Sequence, residues 1–205
     1  MSDTRDEIMS ATYRALRTHG YADLTMQDIA DETELSKAAL HYHYDSKQEL
    51  LESFLDFLYD GFTERVGDPD GETAPERLRA LIDAILYPPV EDDDERVAFK
   101  TALLELKAQA PYDDGIRDRL RRFDEFLHGE FRDVLDDGIA AGTVRGDVDP
   151  DDAARFLVTT LDGASTKQVA VGQEVDCARR MLTAYIERTL TVDGDDGRVA
   201  EVDSE

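Results

Sequence analysis

The chain has 205 residues and a formal net charge of −25, from 31 Asp and 17 Glu against 18 Arg and 5 Lys. That length carries one moderate or two small packed domains, and a single cysteine, Cys177, excludes an internal disulfide and a cysteine-based zinc site. No signal peptide and no apolar run of about 18 residues is present, so a cytoplasmic protein with no membrane contact is expected, and the carboxylate excess with little lysine points to a halophilic protein, working where about 1 M salt shortens screening to ~3 Å, with an ordinary acidic protein as the alternative.

Taken in order, residues 4–19 read as a first helix, with Thr4 and Glu7 as a capping box, Ile8, Ala11, Thr12, Ala15 and Leu16 on one face, and Gly20 as the stop. A short second helix follows, in which Met26, Ile29 and Ala30 recur at helical spacing, Thr25 is the N-cap and Asp28 closes a capping box. Thr33, Glu34 and Leu35 make a turn, Leu35 pointing inward. Ser36 caps a third helix over 37–44 in which only Leu40 and Tyr44 share a core-facing stripe.

That leaves Lys37, Ala38, Ala39, His41, Tyr42 and His43 outward on a helix of a very acidic chain. Small residues allow close approach to base edges and thymine methyls, while Lys, Tyr and His donate to phosphates or bases. The pattern is a helix-turn-helix. Ser46 and Glu49 form the next capping box, and Lys47 stands in a first helical turn, where the dipole offers a cation nothing; a phosphate partner would explain it.

These residues resemble the DNA-binding domain of TetR-type (tetracycline-repressor-like) transcriptional regulators, whose Ser-Lys-x-x-Leu-Tyr-x-His-Phe-x-x-Lys run matches Ser36, Lys37, Leu40, His43, Tyr44 and Lys47. His41 stands where the family commonly has a phosphate-contacting tyrosine, and Ala38 where glycine or proline is frequent. The resemblance implies that Lys37, Tyr42, His43 and Lys47, with Gln27, Ala39 and His41, meet DNA. Ala38, Ala39 and Gln27 would face bases, and Thr25, Ser36, Tyr42, His43 and Lys47 the backbone.

Beyond the head, a helix over 47–66 carries an apolar face (Leu50, Leu51, Phe54, Leu55, Phe57, Leu58, Phe62) too wide for one neighbour, so it should touch both the head and a second domain. A 67–71 turn leads to a helix capped by Thr73 and Glu76 that ends at Pro88 and Pro89. The acidic run 91–95 favours the start of a helix over 97–110, and a long helix follows over 113–141. In the latter, Arg117, Arg119, Arg121 and Arg122 are interleaved with carboxylates and read as surface pairs, and His128 has no assigned role. Asp149 and Pro150 open a helix with the small run Gly163, Ala164 and Ser165, where glycine costs about 1 kcal/mol relative to alanine and close approach of another helix would justify it. A last helix spans 174–190, with Cys177 expected as a packed small residue, before an acidic disordered tail over 193–205.

The expected fold is all-α with about nine helices: a DNA-binding head over 1–48 and a ligand-binding and dimerisation domain over 49–192. By family resemblance, the last two helices form a four-helix dimer interface through Phe156, Thr160, Gly163, Ala164, Lys167, Ala178, Met181, Leu182 and Tyr185. A small apolar or amphipathic effector would lie among Phe62, Leu86, Tyr87, Phe99, Leu103, Leu106, Phe123, Leu127, Phe131 and Leu161, each of which also fits plain core packing. No cofactor or metal is expected. His41 and His43 at i, i+2 cannot chelate from one helix face, and no HExxH, G-x-S-x-G or glycine-rich phosphate loop supports an enzyme.

The expected function is a homodimeric repressor of an inverted-repeat operator in double-stranded DNA. A helical dimeric adaptor working through a protein partner is the alternative, because residues 1–50 hold 5 Lys+Arg against 10 Asp+Glu. Thermal unfolding across a KCl series should show Tm falling below a few hundred millimolar; a Tm that holds or rises at about 50 mM overturns the molar-salt reading.

Overall fold

The computed structural model describes residues 2–88 and 93–192, so the expected tail and residues 91 and 92 of the acidic run lie outside the described part. The described residues form nine α-helices and no strand: α1 Ser2–Asp23, α2 Met26–Asp31, α3 Lys37–His43, α4 Lys47–Val66, α5 Ala74–Leu86, α6 Asp93–Gln109, α7 Asp114–Ala140, α8 Pro150–Val171 and α9 Asp176–Tyr185. A π-helical turn, Ile186–Leu190, ends the last helix, and a lone antiparallel bridge pairs Val144 with Thr191. None of these helices is long and apolar enough to cross a membrane.

Caps set most of the boundaries. The Thr25 side chain accepts from the Asp28 N–H, and the Asp28 carboxylate accepts from the Thr25 N–H and hydroxyl (2.8 and 2.7 Å), bonds that hold its pKa below the ordinary value. Asp149 accepts from the N–H groups of Asp151 and Asp152 at the start of α8, with Pro150 in the first turn. The 46/49 box is only half formed: Ser46 accepts from Glu49 N–H, but the Glu49 carboxylate takes the Asp45 N–H (2.8 Å).

Helix α1 departs from expectation at both ends. It begins at Ser2, which puts Thr4 inside the first turn, and Glu7 accepts instead from the Glu34 N–H in the helix-turn-helix turn (3.3 Å). Gly20 kinks the chain (φ 69°, ψ 167°) rather than ending it, and one further turn continues to Asp23.

Two buried clusters form the interior. The first joins Ile8, Leu16, Ile29, Leu40 and Leu51 of the head to Ala102 and Leu106 of α6 and Ile116 of α7. The expected division at 48/49 falls within the first turn of α4, and the head's core runs across it. The second cluster lies among α5, α7, α8, α9 and the π-helical turn, with Leu78, Phe131, Leu157 and Ile186 fully buried. Arg119 bonds Glu52 and Asp56 (each 2.9 Å) and Arg122 reaches Asp56 (2.7 Å), lacing α7 to α4, whereas Arg117 and Arg121 pair along their own helix with Asp114 and Asp118. Cys177 is exposed, not packed: it lies one position off the Ala178, Leu182 and Tyr185 stripe and shares its outward face with Met181.

A close backbone approach is made at Gly138, where an added Cβ would stand 2.5 Å from Val144 Cγ2 and 2.6 Å from Ala74 Cβ. Gly138→Ala should therefore destabilise the fold by about 1–3 kcal/mol through overpacking, measured by denaturant unfolding at high salt.

Candidate nucleic-acid interface and the cavity behind it

Helix α3 is held from beneath by Leu40, fully buried, and by Tyr44, half-buried with its hydroxyl 3.3 Å from Ser53 Oγ. Its start is fixed by Ser36 Oγ, which accepts from Ala39 N–H at 3.1 Å. Everything else on it faces out: Lys37, Ala38, His41, Tyr42 and His43 are exposed and Ala39 half-exposed. Tyr42 is 88% exposed, its ring edge-on to His43 (5.5 Å, 86°), and Lys37 has no carboxylate partner among the described residues. An aromatic ring left so far in water forfeits the burial that normally stabilises it.

Gln27, on the exposed side of α2, is engaged by Asp31 (2.7 Å), and Arg14 clamps the end of α2 through the Glu32 carboxylate and carbonyl. Lys47 is half-buried and occupied internally. Its Nζ donates to Tyr21 O (2.9 Å) and lies 4.8 Å from the Tyr21 ring centroid, tying α4 to the kinked end of α1. Lys47, which reads as a phosphate contact in the sequence, thus also has a structural duty, the Tyr21 carbonyl offering the cation an acceptor that its own helix start lacks.

Behind the head, a partly open cavity of about 940 Å³ is lined by α1, α4, α5, α6, α7 and α8. Of the ten residues expected at a ligand site, Phe62, Phe99, Leu103, Phe123, Leu127 and Leu161 line it. Leu106 belongs instead to the head core, and Leu86 and Phe131 to the second core, all three without exposure. Tyr87 borders a separate shallow depression with Asp83, Ala84 and Arg179; its hydroxyl donates to Asp176, and burial and that bond push its pKa up to about 12. The helical period marks an apolar stripe but not which part of it meets a neighbour and which a void.

Phe57, Leu58, Leu104 and Leu120 line the cavity without having been singled out, and so does Lys100. Glu105 was also missed: its carboxylate takes the Tyr21 N–H (2.6 Å) beside the Gly20 kink. The available signal for both was a charged residue inside the apolar run of α6.

Along α8 and α9, Phe156 (48%) and Met181 (65%) are exposed, as are Gly163 and Lys167, while Thr160, Ala164, Ala178 and Tyr185 are half-exposed. Phe156 and Tyr185 pack ring against ring (5.0 Å). A Cβ at Gly163 would meet nothing within 4 Å in its own chain. Leu182 does not belong with these: at 2% exposure it faces the chain's own core.

Replacing Lys47 by alanine removes a hydrogen bond and a cation–π contact and should lower stability by about 1–2 kcal/mol, read as a lower Tm with the dimer retained. An unchanged Tm would return Lys47 to the DNA surface alone.

Residues 8–54 match the family model described as bacterial regulatory proteins, tetR family, and residues 48–191 that of the BetI-type transcriptional repressor C-terminal region. The fold is similar to the crystal structure of a TetR transcription regulator from Haloarcula marismortui, 41% identical, with a TM-score of 0.86 over 93% of this chain and 100% of that one. That neighbour supports the halophilic reading of the composition. A regulator from Saccharomonospora viridis solved in complex with choline is 25% identical, with a TM-score of 0.76 over 94% of this chain and 100% of its own. The transcriptional repressor KstR2 of Rhodococcus jostii is 28% identical over 172 residues, 78% of this chain and 76% of that protein. With residues 8–191 covered by the two family models, this protein belongs to the TetR family of DNA-binding transcriptional regulators.

Proposed function

We propose that the chain acts as a homodimeric repressor in the cytoplasm, with residues 1–48 as the DNA-binding head and residues 49–192 carrying dimerisation and effector binding. The observation that carries this is the outward face of α3, whose lysine, tyrosine and two histidines have no packing role while Leu40 and Tyr44 alone hold the helix. Each protomer places α3 in a major groove, so a dimer reads half-sites about one helical turn, or a multiple of it, apart. Ala38, Ala39 and Gln27 face bases, Lys37 reaches a base or a phosphate, and Tyr42, His43, Lys47, Thr25 and Ser36 grip the backbone.

The partner protomer docks on the exposed face of α8 and α9 around Phe156, Gly163 and Met181. Gly163 supports this, since nothing in its own chain requires the missing side chain. Helix α6 supports a switch. Phe99 and Leu103 line the cavity, Ala102 and Leu106 are part of the head core, and Glu105 holds the α1 kink. A molecule entering the cavity that favours a shifted α6 moves α1, and with it the spacing of the two α3 helices, lowering operator affinity by its differential affinity for the two states.

Footprinting of the protein in about 2 M KCl on DNA flanking its own gene should reveal a protected inverted repeat. The double variant Lys37→Ala, Tyr42→Ala should lose that protection and remain dimeric. Protection by the double variant would reassign the reading helix, and no protection by a folded wild-type dimer would favour the protein-partner alternative.

A further inference from the structure

The cavity wall carries charge unevenly. The five carboxylates that border it, Asp6, Asp60, Glu64, Asp124 and Asp162, are all exposed and so stand at its rim. Asp162 is also paired there with Lys107. Arg5, Arg65 and Lys107 also border it without being buried, and the rest of the lining is mainly apolar, with Ser165 and Thr166 besides; its one buried charged group is Lys100, at 7% exposure.

Lys100 Nζ donates to Leu86 O (2.8 Å) at the end of α5 and to Gln168 Oε1 (2.7 Å) on α8. Both partners are neutral, and no described carboxylate pairs with it. One of its three N–H groups is left over. Burial, and Arg96 one turn earlier, push its pKa down to about 8, which leaves the amine mainly protonated at neutral pH. A buried cation without a counter-ion is a destabilising choice that leucine or methionine would avoid. It is a stranger choice still in a chain whose net charge is −25.

From this we infer that the cavity binds an amphipathic organic acid, its apolar body lying along Phe62, Phe99, Leu103 and Phe123 and its carboxylate bonding Lys100. The inference rests on the effector role of the cavity and assigns its chemistry. A quaternary ammonium, the class of ligand seen in the Saccharomonospora viridis structure, would meet a cation inside and find its carboxylates only at the rim. The acid also supplies a lever, because Lys100 joins α6 to the end of α5 and to α8. A carboxylate drawing the amine away from Leu86 and Gln168 loosens α6 on the side opposite the head.

The test is calorimetric titration of the full chain in about 2 M KCl with three probes sharing one chain length, decanoate, decanol and decyltrimethylammonium, each below its micellar concentration. Decanoate should bind at least about tenfold more tightly than decanol, and Lys100→Met should weaken decanoate by about 10- to 100-fold while leaving decanol unchanged. Lys100→Arg should recover part of the loss. Decanol binding as tightly as decanoate, tighter binding of the ammonium, equal loss of all probes in Lys100→Met, or no binding by any of them would overturn the proposal. The wild-type ranking decides it even if the methionine variant fails to fold. Footprinting separates the two readings: operator protection without preference for decanoate sinks only the acid, and decanoate binding without protection sinks only the repressor.

Discussion

The head of this protein cannot close its own core. Three helices of 22, 6 and 7 residues bury too little by themselves, and the deficit is met by α4, by Ala102 and Leu106 of α6 and by Ile116 of α7. The helix that completes the DNA-binding head is therefore the same one that walls the cavity. Closely packed interiors transmit displacement because they have no slack to absorb it, so a change at Phe99 or Leu103 reaches the underside of α1 within about two helical turns. Glu105 at the Gly20 kink and Lys47 on the Tyr21 carbonyl add polar ties across the same seam.

Electrostatics sets the second constraint. With a net charge of −25, the acidic surface repels both itself and DNA phosphates, and only screening makes folding and operator binding compatible. Arginines are spent mostly in pairs such as Arg119 with Glu52 and Asp56, or Arg179 with Asp83. The five lysines are distributed differently. Lys37 has no carboxylate partner among the described residues, Lys47 braces the head, Lys100 is buried in the cavity, Lys107 pairs at its rim, and Lys167 is exposed on α8 near the small-residue run. In a chain so poor in lysine, each one kept away from carboxylates marks a place where a cation has a task that surface pairing does not explain.

The sequence by itself determined the helices, most of their ends and which side chains of α3 face outward. Those are local properties: Thr25 and Asp28 cap across three residues, and the 3.6-residue period leaves only Leu40 and Tyr44 inward on α3 whatever the rest of the fold does. Local chemistry also misled where a distant partner overrode it, as when the Glu7 carboxylate was claimed by the Glu34 N–H. What only the tertiary structure decided is which buried stripe faces which neighbour. Leu103 and Leu106 are indistinguishable by period, yet one lines a void and the other fills the head, and Leu182 and Met181 adjoin in sequence but face opposite ways. Lys100 belongs to the same class, because burial of a charge without a counter-ion is a statement about everything around it, and a helical pattern specifies only the direction in which a side chain points.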